Sequence, residues 1–479
     1  MPNEPLVLDA DGTLLRTDML LEGVLKGLGT DPRGVFGALR LLPDRAAFKA
    51  EIARIAPLRV DLLPVNQEVL EVALAARAEG REVVLASASD RALVEPLARQ
   101  FGIDTVFASG DGVNLKGSAK AAALVEAYGK GGFYYAGDAR ADHKVWAHAA
   151  GAVVVGDPGG ARAMLEAQGK PVRGVEGGWS PRALFKAIRP HQWVKNVLLF
   201  LPMLAAHAFE LPIALLVLAG IAAFSCAASS IYIVNDLLDL EADRLHETKH
   251  RRPFAAGTVP IPVGMATSVA LGLAALVIGA SLGPAMLGVV ALYMALSLAY
   301  SMRLKRMRWV DVATLAALYT LRVVAGAAAS GVEASIFMLI FIFPVFLTLG
   351  CVKRLTELAR AETDDRLPGR GYGRADRGDL VNVAGLGMVG ALVIFFLYSW
   401  SDQALALYPD QWIMWIALVP IAAWLYRMIR LGYWGRMDYD PIVFALRDKR
   451  GIGFLLIALA LMFYSAGLWT AWWAALTAG

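Results

Sequence analysis

The sequence predicts a multidomain membrane protein: a soluble α/β domain with a parallel sheet and a small helical cap, followed by an all-α bundle of nine transmembrane helices. Three observations lead there. Of the 479 residues, 57% are hydrophobic and only 18% are charged. The charges are mixed through the chain up to about residue 189, then gather in short clusters between apolar runs near the 20 residues that span a bilayer. Before that point, short β-rich runs alternate with helical stretches, the rhythm of a parallel sheet with crossover helices.

The β-rich runs are 5–9, 83–87, 106–109, 133–137 and 152–156. The interval from the first to the second is too long for one crossover and is broken at Gly29, Pro32, Pro43 and Pro64, so a helical cap is expected over about 15–82. Residues 168–178 are rich in Gly with a Pro and read as a linker. Ser180 and Pro181 then supply an N-cap and first-turn proline for a short helix. Its Arg182, Lys186 and Arg189 beside Leu184, Phe185 and Ile188 suit the membrane surface. The expected division is therefore 1–167 soluble domain, 168–188 linker and interfacial helix, and 189–479 membrane domain.

Nine spans are expected near 193–208, 211–235, 260–282, 285–302, 310–330, 335–352, 380–400, 411–427 and 452–476. Basic residues cluster at 244–252, 303–308, 353–377 and 427–450, whereas the loops near Glu210, Gly283, Glu333 and 401–410 carry no Lys or Arg. The positive-inside rule makes the basic face cytoplasmic, with the soluble domain on that side of a cell membrane and the C-terminus outside. No apolar signal segment follows Met1. The formal net charge of +4 lies in these clusters and gives no support to nucleic-acid binding. Cys226 and Cys351 both fall in apolar runs and read as core packing rather than disulfide or metal chemistry.

Asp9 and Asp11 stand two residues apart where a buried strand meets Gly12. A carboxylate so placed can attack phosphorus while its neighbour moves a proton. The second strand ends in Ser87, Lys116 precedes a helix, and the strand at 133–137 runs into Asp138 and Asp142. All four elements fall at strand C-terminal ends, where open α/β sheets bind ligands. Together they resemble the Rossmann-like haloacid dehalogenase fold over about 5–156. That resemblance implies a phosphatase with Asp9 as nucleophile, Asp11 as general acid/base and Ser87 and Lys116 as phosphate ligands, Lys120 being an alternative to Lys116. It also implies Mg²⁺ at Asp9, Asp138 and Asp142.

At the end of the second span, Asn235, Asp236, Asp239 and Asp243 fall within one arc of a helix at 100° per residue. Carboxylates on one stripe repel unless a cation sits among them, and Mg²⁺ with a diphosphate suits a few carboxylates. Lys249, Arg251 and Arg252 follow at once. The segment NDLLDLEADRLHETKHRRPFAAG, residues 235–257, resembles the first acidic motif of UbiA-type intramembrane prenyltransferases, and the likeness extends over about 185–479. Residues 189–196 and 440–448 resemble its polyprenyl-phosphate phosphoribosyltransferase branch, the decaprenyl-phosphate enzymes included. One departure is that Asp311 is followed four residues later by Leu315, so the second acidic motif usual for prenyl diphosphate users is incomplete.

The resemblance implies Mg²⁺ held by Asn235, Asp239 and Asp243. Substrate would be bound by Lys195, Asp236, Lys249, Arg252, Lys305, Arg306, Lys353, Arg354 and Arg447. The substrates expected are phosphoribosyl diphosphate and a polyprenyl phosphate, with the phosphatase removing the 5-phosphate of the product. The alternatives are an aromatic prenyltransferase using a prenyl diphosphate, or a soluble domain that serves regulation or assembly without turnover.

Overall fold

The computed structural model describes residues 4–110, 112–177, 179–361, 365–367, 370–437, 440–470 and 477. The chain divides into two compact units, one formed by Met1–Ile188 with Tyr232–Val269 and the other by Arg189–Ile231 with Ala270–Gly479.

Strands β1 (Leu6–Leu8), β2 (Val83–Asp90), β3 (Thr105–Ser109), β4 (Tyr134–Gly137), β5 (Gly151–Val155) and β6 (Val172–Val175) form one sheet of order β3-β2-β1-β4-β5-β6. Every pairing is parallel. Side chains alternate across the central strand: Leu6 and Leu8 join one apolar cluster and Val7 the other, so both faces are buried and the strand reads as a continuous apolar run. β6 corrects the linker reading of 168–178. Pro171 and Gly174 give the stretch a loop-like composition, but an edge strand tolerates proline at its entry, and Val172–Val175 pairs with β5 over four residues.

The inserted cap consists of α1 (Met19–Thr30), α2 (Pro32–Ala38) and α3 (Arg45–Ile55), started by Asp18, Asp31 and Asp44, whose carboxylates accept backbone N–H groups as N-caps do. Val35, Ala38, Phe48 and Ile52 form its small core. α4 (Gln67–Ala78) instead buries Val69, Val72, Ala73 and Ala76 in the sheet's core; it is the crossover to β2 within the interval read as cap. α5 (Arg91–Gln100), α6 (Ser118–Tyr128), α7 (His143–Trp146) and α8 (Ala161–Ala167) complete the layers, and α9 (Pro181–Ala187) is capped by Ser180.

The expected first span is not a regular α-helix. Arg189 adopts a left-handed conformation, and Pro190–Phe200 forms a 3-10 stretch leading into α10 (Leu201–Ala205). At about 2.0 and 1.5 Å per residue the two cover roughly 30 Å. Among the described residues, seven helices are long and apolar enough to cross a membrane. They are α11 (Leu211–Leu238), α13 (Ile261–Ser281), α14 (Pro284–Met302), α15 (Val310–Ser330), α16 (Ile336–Ala359), α17 (Arg377–Tyr398) and α19 (Gln411–Tyr433). The short α12 (Leu240–Arg244), α18 (Asp402–Leu407) and α20 (Pro441–Ala445) lie between spans. α21 (Lys449–Ser465) covers most of the expected last span, of which 471–476 lie outside the described residues. Exposed Leu218, Val269, Leu273, Val277, Leu386 and Val419 give these helices an outer surface that water would not solvate and lipid would. Cys351 is buried, Cys226 is half-buried, and both are free thiols.

Candidate functional site

The first unit brings Asp9, Asp138 and Asp142 together at the C-terminal ends of β1 and β4, one oxygen of each lying within 4.8 Å of the others. Gly12 makes this possible. It has φ +77°, and a Cβ there would meet Asp138 Oδ2 at 2.2 Å, so the chain turns beneath the carboxylate without touching it. Thr13 donates to Asp138 Oδ1 at 3.1 Å, and the backbone N–H groups of Asp138 and Ala139 donate to Asp142 Oδ2 at 3.2 and 3.0 Å. Burial, then the charges of Asp9 and Asp142, raise Asp138 to about 7. Burial and Asp9 raise Asp142 to about 6. Three mutually repelling carboxylates in a small volume suit a hard divalent cation, so the donor set fits Mg²⁺.

Asp11 is held apart from that cluster. Its Oδ1 accepts the Met19 N–H at 2.8 Å, and its Oδ2 accepts the Ser89 hydroxyl at 2.5 Å and that of Ser87 at 3.5 Å. Burial, reinforced by Asp18, raises it to about 7, where a carboxyl group can both give and take a proton near neutrality. Of the two lysines left open by the sequence, buried Lys120 pairs with Asp9 Oδ1 at 2.9 Å and donates to the Tyr135 hydroxyl at 2.9 Å, whereas Lys116 is exposed on the rim of the same cavity. Sequence reasoning missed Thr13, Asp18, Lys49 and Ser89. Only Thr13, beside the carboxylate pair, gave any local signal; the cap folds Lys49 and Asp18 over the site. The cavity has a volume of about 640 Å³. Its wall includes Lys49, Lys116 and Trp179, and also Pro260, Ile261 and Pro262 at the start of α13.

The acidic stripe at 235–243 does not lie on one uninterrupted helix. α11 ends at Leu238 and Asp239 takes φ −104°, ψ 16° as the cap of α12, while the N–H groups of Asp239 and Asp243 still reach back four residues. Arg252, expected to bind substrate, bridges two members of the stripe, contacting Asp236 at 3.0 Å and Asp243 at 2.6 Å. The buried Oδ1 of Asn235 has no hydrogen-bond partner among the described residues. An orphaned acceptor beside clustered carboxylates fits a cation such as Mg²⁺. Lys249 lies half-buried one turn before Arg252.

In the second unit, Lys195 is buried and ion-paired with Asp440, which joins the two stretches 189–196 and 440–448. Lys305 and Lys353 are half-buried, and Arg306 and Arg447 exposed. Arg354 departs from its expected role as a phosphate ligand. Fully buried, it grips Asp311 at 2.5 and 2.9 Å, donates to the Tyr300 hydroxyl at 2.9 Å and pairs with Glu357. The guanidinium neutralises the lone carboxylate of the incomplete second motif, and its donors are committed to protein acceptors. We expect Arg354→Met to destabilise the fold by roughly 3–5 kcal/mol, because it strands buried carboxylates, measured as thermal unfolding in detergent. The paired change Arg354→Met with Asp311→Leu should recover part of that loss.

Comparison with known proteins finds a family match for each part of the chain. The UbiA prenyltransferase family profile matches residues 196–446, more than half of the chain, and that of haloacid dehalogenase-like hydrolases matches 6–146. An uncharacterized protein, y4nM, of Sinorhizobium fredii is 34% identical over 465 residues, 93% of this chain and 88% of that protein. Decaprenyl-phosphate phosphoribosyltransferase of Corynebacterium glutamicum is 41% identical over 182 residues, 36% of this chain and 54% of that enzyme. A UbiA homolog from Archaeoglobus fulgidus, solved with GPP and Mg²⁺, aligns at 16% identity and a TM-score of 0.45 over 58% of this chain and 99% of its own. Both parts of the chain thus have counterparts in known sequences: the chain belongs to the UbiA prenyltransferase family and carries a haloacid dehalogenase-like hydrolase domain at its N-terminus.

Proposed function

We propose that the membrane part transfers 5-phosphoribose from phosphoribosyl diphosphate to a polyprenyl phosphate, and that the soluble part removes the 5-phosphate from that lipid. The observation that carries the coupling is the wall of the phosphatase cavity. Pro260, Ile261 and Pro262 line it, and Ile261 begins α13, a helix apolar and long enough to cross a membrane. A phosphate ester held by the Asp9 cluster therefore lies against the end of a membrane span, a position suited to a lipid-linked substrate. The donor assignment is supported by the 41% identity to a decaprenyl-phosphate phosphoribosyltransferase and by Asp311, whose pairing with Arg354 disfavours a second metal on a prenyl diphosphate. We assign the basic loops and the soluble domain to the cytoplasmic face on the one-sided distribution of Lys and Arg.

In the phosphatase reaction, an Asp9 oxygen attacks phosphorus and the ester oxygen leaves with the proton of Asp11. Asp11 then takes a proton from water, whose oxygen attacks the aspartyl-phosphate and releases phosphate, restoring both groups. Lys120 and Ser87 balance and orient the phosphoryl oxygens, with Lys116 guiding the anion at the rim. Asp9, Asp138 and Asp142 would hold Mg²⁺, which neutralises phosphate charge. In the transfer reaction, a lipid phosphate oxygen attacks the anomeric carbon as diphosphate departs. Asn235, Asp239 and Asp243 would hold a second Mg²⁺ on that diphosphate, assisted by Lys249, while Lys195, Lys305, Arg306, Lys353 and Arg447 are assigned to substrate phosphates.

Membranes containing the protein are to be supplied with polyprenyl phosphate and either labelled phosphoribosyl diphosphate or a labelled prenyl diphosphate. Label from the first should enter a new lipid. Incorporation only from the prenyl diphosphate would replace this reading with aromatic or other prenyl transfer.

A further inference from the structure

Within the first unit, the cap of the phosphatase site is fastened to the segment that carries the acidic stripe. Glu22 on α1 and Arg244 at the end of α12 form a two-pronged ion pair at 2.6 and 2.7 Å, with side-chain exposures of 4% and 7%. Thr17 donates to the same Glu22 carboxylate at 2.5 Å, and Arg244 also donates to the Ala255 carbonyl at 3.0 Å. One turn along each helix, Lys26 meets Glu241 at 2.5 Å. Nearby, Gly257 at φ +65° lies so close to Arg16 that a Cβ would meet the Arg16 Cβ at 2.7 Å.

We propose that Glu22 and Arg244 are positioning residues for the phosphatase reaction, through which the docked 232–269 segment holds Asp11 in its working geometry. The path is short. Glu22 stands three residues after Met19, whose N–H donates to Asp11 Oδ1, and its carboxylate also takes the hydroxyl of Thr17, whose carbonyl accepts the Gly12 N–H at 3.1 Å. Pinning Glu22 thus fixes both the loop after the Asp9–Asp11 turn and the first turn of α1. On the other side, Arg244 directly follows Asp243, which Arg252 ties to Asp236. Order in the acidic segment therefore becomes a condition of order at the general acid/base. A bidentate buried pair suits this task better than an apolar contact because it tolerates only one relative placement of the two helices. Neither residue touches the substrate. The proposal rests on reading the Asp9 cavity as a phosphatase site.

The test uses full-length protein in detergent with p-nitrophenyl phosphate. Glu22→Gln and Arg244→Lys keep size and, for the lysine, charge, but lose the paired geometry. Each should lower kcat about 10- to 100-fold with little change in KM, the penalty of a misplaced catalytic group. The swap Glu22→Arg with Arg244→Glu should recover part of the lost kcat. Arg54→Ala, which removes the exposed cap pair with Glu51, should leave kcat unaltered. Hydrogen exchange at residues 17–25 should quicken in the two single variants and not in Arg54→Ala. Wild-type kcat in folded Glu22→Gln or Arg244→Lys would overturn the proposal, as would a loss that only matches the unfolded fraction. A wild-type protein inactive on phosphate esters would overturn the phosphatase reading instead.

Discussion

Replacing Asp9 by Asn is expected to lower turnover of a small phosphate ester by about 10⁴-fold or more, the scale seen when a covalent nucleophile is removed. Asn keeps the size of the side chain, so the fold of β1 and the turn at Gly12 should persist. What it loses is the anionic oxygen that attacks phosphorus and the charge paired with Lys120 at 2.9 Å. One carboxylate also leaves the cluster with Asp138 and Asp142, which weakens its hold on a divalent cation. Asp9→Asn should thus gain less in thermal unfolding temperature than the wild type when Mg²⁺ is added. Full hydrolytic activity in Asp9→Asn would remove this cluster from the chemistry.

Asp239→Asn is the second change with a large expected effect. The residue sits at the break between α11 and α12, one turn beyond Asn235, whose buried Oδ1 lacks a hydrogen-bond partner among the described residues. If the two hold Mg²⁺ on the donor diphosphate, exchanging the anionic ligand for an amide should reduce lipid transfer at least about 100-fold, since even changes one shell further from a metal cost 10- to 100-fold. Raising Mg²⁺ should restore part of the rate. Hydrolysis of a small phosphate ester should continue, because the Asp9 cluster draws none of its ligands from the stripe and Asp239 belongs to neither ion pair that docks the segment on the cap, Glu22–Arg244 and Lys26–Glu241. Unchanged transfer at low Mg²⁺ would exclude Asp239 from the mechanism.

Most of the sheet was legible in the sequence because β1, β2 and β5 are short apolar runs buried along most of their length, and Asp9, Asp138 and Asp142 could be grouped because parallel strands gather their C-terminal ends. β6 was not, since Val172–Val175 is a short edge strand beside Pro171 and containing Gly174, and edge pairing leaves little trace in composition. Spacing along α6 could not separate Lys116 from Lys120: both lie near its start, and only the packing of Tyr135 beneath Lys120 decides which one turns inward. Arg354 shows the limit of charge patterning. A basic residue near the end of a span reads alike as a topology anchor, a phosphate ligand or half of a buried pair, and its partner Asp311 lies 43 positions away. The Glu22–Arg244 pair, 222 positions apart, was invisible for the same reason.

The most direct test of the account is mass spectrometry of the lipids made from polyprenyl phosphate and phosphoribosyl diphosphate by the wild-type protein and by Asp9→Asn. The wild type should yield polyprenyl-phosphoryl ribose, and Asp9→Asn should accumulate the same lipid carrying one further phosphate. Identical lipids from the two proteins would contradict the claim that the soluble domain acts on the membrane domain's product.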